Sequence, residues 1–248
     1  MPEFDPADSP EFSRHADLPA LVEAARGRFC RVVADAQGDD GLARVVITGG
    51  GAGIALLEAI AADSGAIDWG RVLVFYGDER FVPAGDPERN QLQADEALLS
   101  RVPVPESHVF PILASDGPFG DDPGGVARAY AAVVAEQAPD GFDLHLMGMG
   151  GEGHINSLFP HSPALAEEDA LVAPVRDCPK PPPTRITLTM PAVRRADRVW
   201  LLVSGEAKAE AVRAIADAAD PAEWPAAGVR GRRETVVFVD EAAASRLD

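Results

Sequence analysis

Three glycine-bearing loops, each directly after a run of β-forming residues, hold the side chains best placed for chemistry. They are Gly49-Gly50-Gly51-Ala52-Gly53, Gly77-Asp78-Glu79-Arg80 and Gly148-Met149-Gly150-Gly151-Glu152-Gly153-His154. The first lets backbone N–H groups approach an anion at the head of a helix; it reads equally as a tight strand-to-helix turn with no ligand. The second sets Arg80, a two-pronged donor for phosphate or carboxylate, beside Asp78, an acceptor for a sugar hydroxyl or a neighbouring side chain. Its alternative is a solvated acid-base cluster of little energetic weight. The third ends on His154, a side chain suited to accepting a proton near neutral pH, with Glu152 close by to orient it; the alternative is a structural histidine.

Gly148-x-Gly150-x-x-Gly153 also matches a dinucleotide fingerprint, but Pro160 and Pro163 follow too soon for the uninterrupted helix such a site needs. Of the other histidines, His145 lies inside a strand, where packing explains it. His161 follows a proline and is at most pocket lining, while His15 and His108 fall in expected surface connections. No serine sits in a Gly-x-Ser-x-Gly elbow, and Cys30 and Cys178 have neither metal nor redox spacing. No zinc-type His/Cys spacing and no Gly-Lys-Ser/Thr loop is present. What remains is acid-base chemistry on a small anionic substrate.

The elements that must position these loops alternate between strand and helix. The patterning predicts a helix over Leu18 to Ala36, with Asp17 as N-cap and Gly38 past its end. A strand at Arg44 to Thr48, a helix at Ile54 to Ala62 and a strand at Arg71 to Tyr76 follow. Helices are expected around Gln91 to Ser100 and Val126 to Gln137, then a strand from Phe142 to Met147. Further strands are expected at Arg185 to Thr189, Val199 to Val203 and Thr235 to Val239, with a helix from Glu206 to Ala218 between the last two. Ala114 to Gly125 and Asp177 to Thr184 read as loops, the second stiffened by Pro179, Pro181, Pro182 and Pro183. This is the pattern of a doubly wound α/β fold, a mostly parallel, Rossmann-like sheet with helices on both faces, expected as a single domain over residues 1–248. In such sheets ligands bind outside the carboxyl ends of the strands, where the three loops fall.

The 248 residues include 22 Lys plus Arg against 40 Asp plus Glu, a net charge of -18. That charge repels nucleic acid phosphates and anionic membranes, so neither is an expected partner. An anionic substrate would have to be held by a few local cations and helix N-termini. Residues Met1 to Asp5 lack a basic segment leading into an apolar run, and no stretch is apolar for a membrane-spanning length, so a cytoplasmic location is expected.

The glycine loop, Gly77-Asp78-Glu79-Arg80-Phe81-Val82-Pro83 with Asn90 downstream, and the run from Phe142 through His154 to Pro160 closely resemble the 6-phosphogluconolactonase family. So do Pro182-Pro183-Thr184-Arg185-Ile186-Thr187-Leu188-Thr189, Ser204-Gly205-Glu206-Ala207-Lys208-Ala209 and Trp224-Pro225-Ala226-Ala227. The resemblance implies hydrolysis of a phosphorylated sugar lactone, 6-phospho-glucono-1,5-lactone, without metal or cofactor, by a monomer or homodimer. It implies His154 as general base, supported by Arg80, Glu152 and Asp78. It also implies a substrate site drawn from Gly49, Gly50, Gly51, Arg80, Asn90, Gly150, Arg185 and Lys208, with the last two on the phosphate. The chain departs from many members in having Gly51-Ala52-Gly53 for Ser-Thr-Pro, Glu152 for aspartate and Ile155-Asn156 for Thr-Ala.

Two other functions share part of this pattern. Glucosamine-6-phosphate isomerase/deaminases share the glycine loop, the Asp-Glu pair and a Gly-His motif, but Phe159 stands here where they carry an acid. A non-catalytic sugar-phosphate-binding protein would need Arg80, Arg185 and Lys208 but not His154.

Overall fold

The computed structural model describes residues 9–39 and 41–247; the N-terminal segment Met1 to Asp5 lies outside them. Among the described residues seven strands form one sheet in the order β1-β10-β9-β6-β2-β3-β5, and every neighbouring pair is parallel. They are β1 (Glu11–His15), β2 (Ala43–Ile47), β3 (Val72–Tyr76), β5 (Val109–Phe110), β6 (Leu144–Gly148), β9 (Arg198–Val203) and β10 (Glu234–Asp240). All of β3 and four of the five residues of β6 are buried, as expected for strands covered on both faces.

Among the described residues six α-helices accompany them: α1 (Leu18–Asp39), α2 (Gly51–Ala62), α3 (Asn90–Ala97), α4 (Pro123–Gln137), α5 (Met190–Val193) and α6 (Ala209–Ala216). The connections from β1 to β2 to β3 travel one way across the sheet, while those from β5 to β6, β9 and β10 travel back. With right-handed crossovers this places α1 and α2, which touch each other, on one face and α4 and α6 on the other. The reversal falls between β2 and β6, which are adjacent. A crevice therefore opens at their carboxyl ends, flanked by two of the three glycine loops.

Boundaries differ from the sequence expectation in informative places. Asp17 does cap α1, accepting from Ala20 N at 2.9 Å, but the helix runs on through Gly38 to Asp39. Helix α2 starts at Gly51, inside the glycine run and not at Ile54. The expected strand at Arg185 to Thr189 is β8 (Arg185–Leu188), but it lies outside the main sheet. It forms a separate antiparallel sheet with β4 (Asp78–Arg80) and β7 (Val172–Val175). The Glu206 to Ala218 helix is a short 3-10 turn over Glu206–Lys208 followed by α6. His15 is not in a connection: it ends β1 and stacks on Phe238 at 6.1 Å.

No helix among the described residues is long and apolar enough to cross a membrane.

Candidate active site

The crevice holds a cavity of about 380 Å³ lined by Gly49 to Gly53, Asp78, Arg80, Asn90, His154, Asn156, Arg185, Ser204 and Lys208, among others. Most of the residues singled out from sequence meet there. Glu152 and Gly150 are not in the lining; both stand behind His154.

One wall is the head of α2. Its N-cap, Gly50, has φ 79 and no side chain caps the helix, so the N–H groups of its first turn have no intrahelical acceptor. Gly53 is required by packing: a Cβ there would come within 2.9 Å of the Thr48 carbonyl oxygen. Thr48 Oγ1 in turn accepts from Gly148 N at 3.1 Å, tying the loop after β2 to the end of β6. Lys208 lines the same cavity, its ammonium destabilised chiefly by burial and further by the nearby Lys180.

A second wall is built by Glu79. This carboxylate, 1% exposed, accepts from Arg80 N and Asn90 N through Oε1 and from Gln91 N through Oε2, and lies 3.4 Å from the equally buried Arg89. Burial raises its pKa, while Arg89 and the three N–H groups oppose the rise. Glu79 thereby joins β4 to the start of α3 and sets Asn90 against Arg80. Asn90 Oδ1 accepts from Arg80 Nη1 at 2.6 Å, and its Nδ2 donates to Asp78 Oδ1 at 3.1 Å. Ser157 Oγ donates to the other Asp78 oxygen at 2.6 Å. Asp78 is thus held from two sides and fitted to orient neighbours or accept from a ligand hydroxyl.

The third wall carries His154. No helix follows β6: the chain folds into turns with bridges between Met149 and Ile155 and between Ile155 and Leu158, so the dinucleotide motif is not realised as one. His154 lies flat on Phe159, ring centroids 4.3 Å apart and planes 22° from parallel. Its Nδ1 is 3.1 Å from Glu152 Oε1. With Nδ1–H donating to that carboxylate, Nε2 keeps its lone pair. Burial, then repulsion from Lys180, lowers the imidazole pKa to about 4 against the pull of Glu152 and Asp78, so the ring is neutral at neutral pH. Burial alone would raise Glu152, but Lys180 and His154 hold it down to about 2.

Lys180 is the functional candidate that sequence reasoning missed. Its Nζ lies 2.8 Å from Glu152 Oε1 and 3.1 Å from Oε2, and 3.5 Å from His154 Nδ1. It sits in the proline-rich loop, which reads as a mere connection, two residues before the recognisable block that begins at Pro182. Ser204, Asn156 and Thr48 were also passed over. Ser204 Oγ donates to Asp240 at 2.5 Å, and that carboxylate also accepts from Gly205 N, shaping the turn that presents Lys208.

His145 is fully buried beside Phe142, as packing predicts, and burial lowers its pKa to about 3. His161 does not line this cavity; it pairs with Glu223 at 3.1 Å near a separate cleft. Among the described residues no group of three or more His, Cys, Asp or Glu side chains could hold a metal ion.

A family model described as glucosamine-6-phosphate isomerases/6-phosphogluconolactonase matches residues 16–238. A 6-phosphogluconolactonase of Mycobacterium tuberculosis is 51% identical over 236 residues, covering 93% of this chain and 96% of that protein. One of Streptomyces coelicolor is 45% identical, covering 97% and 96%. Among solved structures, the 6-phosphogluconolactonase of Trypanosoma brucei superposes with a TM-score of 0.83 at 26% identity, covering 97% of this chain and 99% of the other. That of Thermotoga maritima gives 0.83 at 25%, covering 94% and 100%.

Proposed function

The chain belongs to the glucosamine-6-phosphate isomerase/6-phosphogluconolactonase family and is an enzyme of its lactonase kind, and from that premise we propose the following reaction. It hydrolyses 6-phospho-D-glucono-1,5-lactone to 6-phospho-D-gluconate, the second step of the oxidative pentose phosphate pathway. Residues 1–248 act as one catalytic domain in the cytoplasm, needing no metal or cofactor.

The observation that carries the reading is an imidazole held by Glu152 at Nδ1, 3.1 Å away, on the wall of a cavity lined by Arg80, Arg185, Lys208 and the head of α2. Nε2 of His154 takes a proton from water as the oxygen attacks the lactone carbonyl. The resulting imidazolium is stabilised by Glu152 at Nδ1 and returns the proton to the ring oxygen as the C–O bond breaks. Arg80, steered by Asn90, offers positive charge to the carbonyl oxygen as it becomes an oxyanion. The head of α2 and Lys208 receive the phosphate, since a chain of net charge -18 cannot attract it by its overall field. Phe159 supports this reading over the isomerase one: the residue in the place of the isomerases' acid is a phenyl ring packed under the base, which transfers no proton.

The deciding experiment generates the lactone in situ from glucose 6-phosphate and follows its decay above the spontaneous rate. Acceleration by the parent and its loss in His154→Gln is the expected outcome. Decay at the spontaneous rate with the parent present would overturn the reading.

A further inference from the structure

Arg185 opens β8 with a side chain only 8% exposed, and it lines the cavity among the cations available for phosphate. Its guanidinium, however, is turned onto the proline loop. Nε donates to Pro182 O at 3.2 Å, and Nη2 donates to Pro181 O at 2.9 Å and to Lys180 O at 3.3 Å. Nη1 lies 3.9 Å from Asp78 Oδ2. Three consecutive carbonyls converging on one planar fork fix the path of residues 180–182 in a way that a point-charge ammonium does not. Cys178 N donates to Pro183 O at 2.9 Å and closes the same loop.

From this loop Lys180 reaches Glu152 and His154, and its Nζ also lies 5.9 Å from the centroid of the Phe159 ring beneath His154. The position of that ammonium is therefore set by what holds the backbone of residues 180–182. We propose that Arg185 is a positioning residue, holding the loop so that Lys180 stands on Glu152 beside His154, and that it is not a phosphate clamp. The proposal rests on the lactonase reading, with His154 as base.

The groups facing His154 give the consequence its sign. Glu152 from its own loop and Asp78 from β4 favour the imidazolium, Lys180 from the proline loop opposes it, and Phe159 covers one ring face. Lys208 and Arg80 line the same cavity as further positive charge. Releasing Lys180 leaves the two carboxylates less opposed. The imidazole then takes a proton at higher pH, and a smaller fraction of the enzyme carries a free base.

The test uses Arg185→Ala, Arg185→Lys and Lys180→Met in two measurements. In the first, the full-length protein labelled with 15N-histidine is titrated by NMR from about pH 8 to about pH 5.5, across the ordinary histidine range. The His154 signal is assigned by its loss in His154→Gln. The parent signal should stay neutral throughout, and all three variants should begin to protonate within the window. Arg185→Lys keeps the charge but not the fork, so it reads out the loop even where Arg185→Ala does not fold.

The second measurement is kcat and KM on phosphorylated and unphosphorylated gluconolactone. Both Arg185 variants should lose kcat on both substrates by a common factor that is small near neutral pH and grows as the pH falls through the raised His154 titration, with the ratio of the two KM values unchanged. A rise in KM confined to the phosphorylated lactone, with an unmoved His154 titration, would show a phosphate clamp and sink the proposal. A titration that moves in Lys180→Met but in neither Arg185 variant would also sink it. Absence of lactonase activity in the parent would instead fail the functional reading, while the NMR arm still reports on the loop.

Discussion

Gly150 and His154 are so close that no side chain fits between them. A Cβ on Gly150 would overlap Nδ1 and Cε1 of the imidazole and stand 2.6 Å from Glu152 Oε2. Gly150, expected from sequence at the substrate site, makes room for the base and its carboxylate. Gly150→Ala should therefore displace His154 while leaving the parallel sheet intact. Its kcat should fall by about 10²-fold, the scale of an ångström's misplacement of a reacting group. Circular dichroism and kcat measured together check this; a near-parental kcat would show that the imidazole is not held by the close approach.

The acid limb of activity follows from the direction of the His154 shift. A base is active when neutral, and burial together with Lys180 lowers its pKa to about 4, so activity should persist well below the ordinary histidine range near about 6.5. The cleanest measurement is kcat/KM against pH on unphosphorylated gluconolactone, whose lack of a phosphate removes the substrate's own titration. A limb at or above pH ~6.5 would mean that the imidazole is far better solvated than its 17% exposure implies.

Glu79 is a stability prediction. It satisfies three backbone N–H groups and faces Arg89, both side chains being 1% exposed. Glu79→Gln leaves the arginine charge buried without its counter-ion, a change that costs about 3–5 kcal/mol in comparable buried pairs. Urea unfolding should show a loss of that order. Because α3 and β4 are joined through this carboxylate, Asn90 and Arg80 should also lose their alignment, lowering kcat even at temperatures where the variant is folded.

The sequence made the parallel sheet legible because β2, β3, β6, β9 and β10 are built around mostly apolar runs, broken inside only by Arg44 in β2 and His145 in β6, the pattern that burial on both faces favours. The small antiparallel sheet was not legible. Asp78-Glu79-Arg80 is a three-residue strand of charged side chains, and its pairing with Arg185 to Thr187 joins segments about a hundred residues apart, which no local pattern encodes. His154, Arg80 and Asn90 could be picked out because their types and neighbours are unusual at strand ends. Lys180 could not, because a lysine among prolines looks like solvent-facing loop until the fold brings it to Glu152. Arg185 was visible as a cation, but which groups its fork would meet depends on the path of a loop that propensity does not specify.

Lys208 separates phosphate recognition from chemistry. It lines the cavity that the head of α2 also lines, and its ammonium is partly desolvated. Lys208→Ala should chiefly raise KM for the phosphorylated lactone, by the equivalent of a charge-assisted hydrogen bond, about 1.5–3 kcal/mol. KM for unphosphorylated gluconolactone should barely change. Equal losses on both substrates would move Lys208 from the phosphate to the sugar or the reacting centre.

His154 and Glu152 carry unequal shares of the proton transfer. His154→Gln keeps a polar side chain on Phe159 but removes the basic nitrogen, so kcat should fall by about 10²–10⁴-fold, the usual range for loss of a general base. KM should change little, because the phosphate is held by other groups. Glu152 does not line the cavity and touches the imidazole at Nδ1, the nitrogen turned from the proposed proton transfer. Glu152→Gln can still accept from Nδ1–H through its amide oxygen, so it loses charge support for the imidazolium but not ring orientation. Its kcat should fall less than that of His154→Gln. Its acid limb should also move to lower pH, since a carboxylate that favours the protonated ring has gone while Lys180 remains. Steady-state kinetics of both variants across pH decide it: a His154→Gln enzyme near parental kcat beside an inactive Glu152→Gln enzyme would make the carboxylate the base and reverse the two roles.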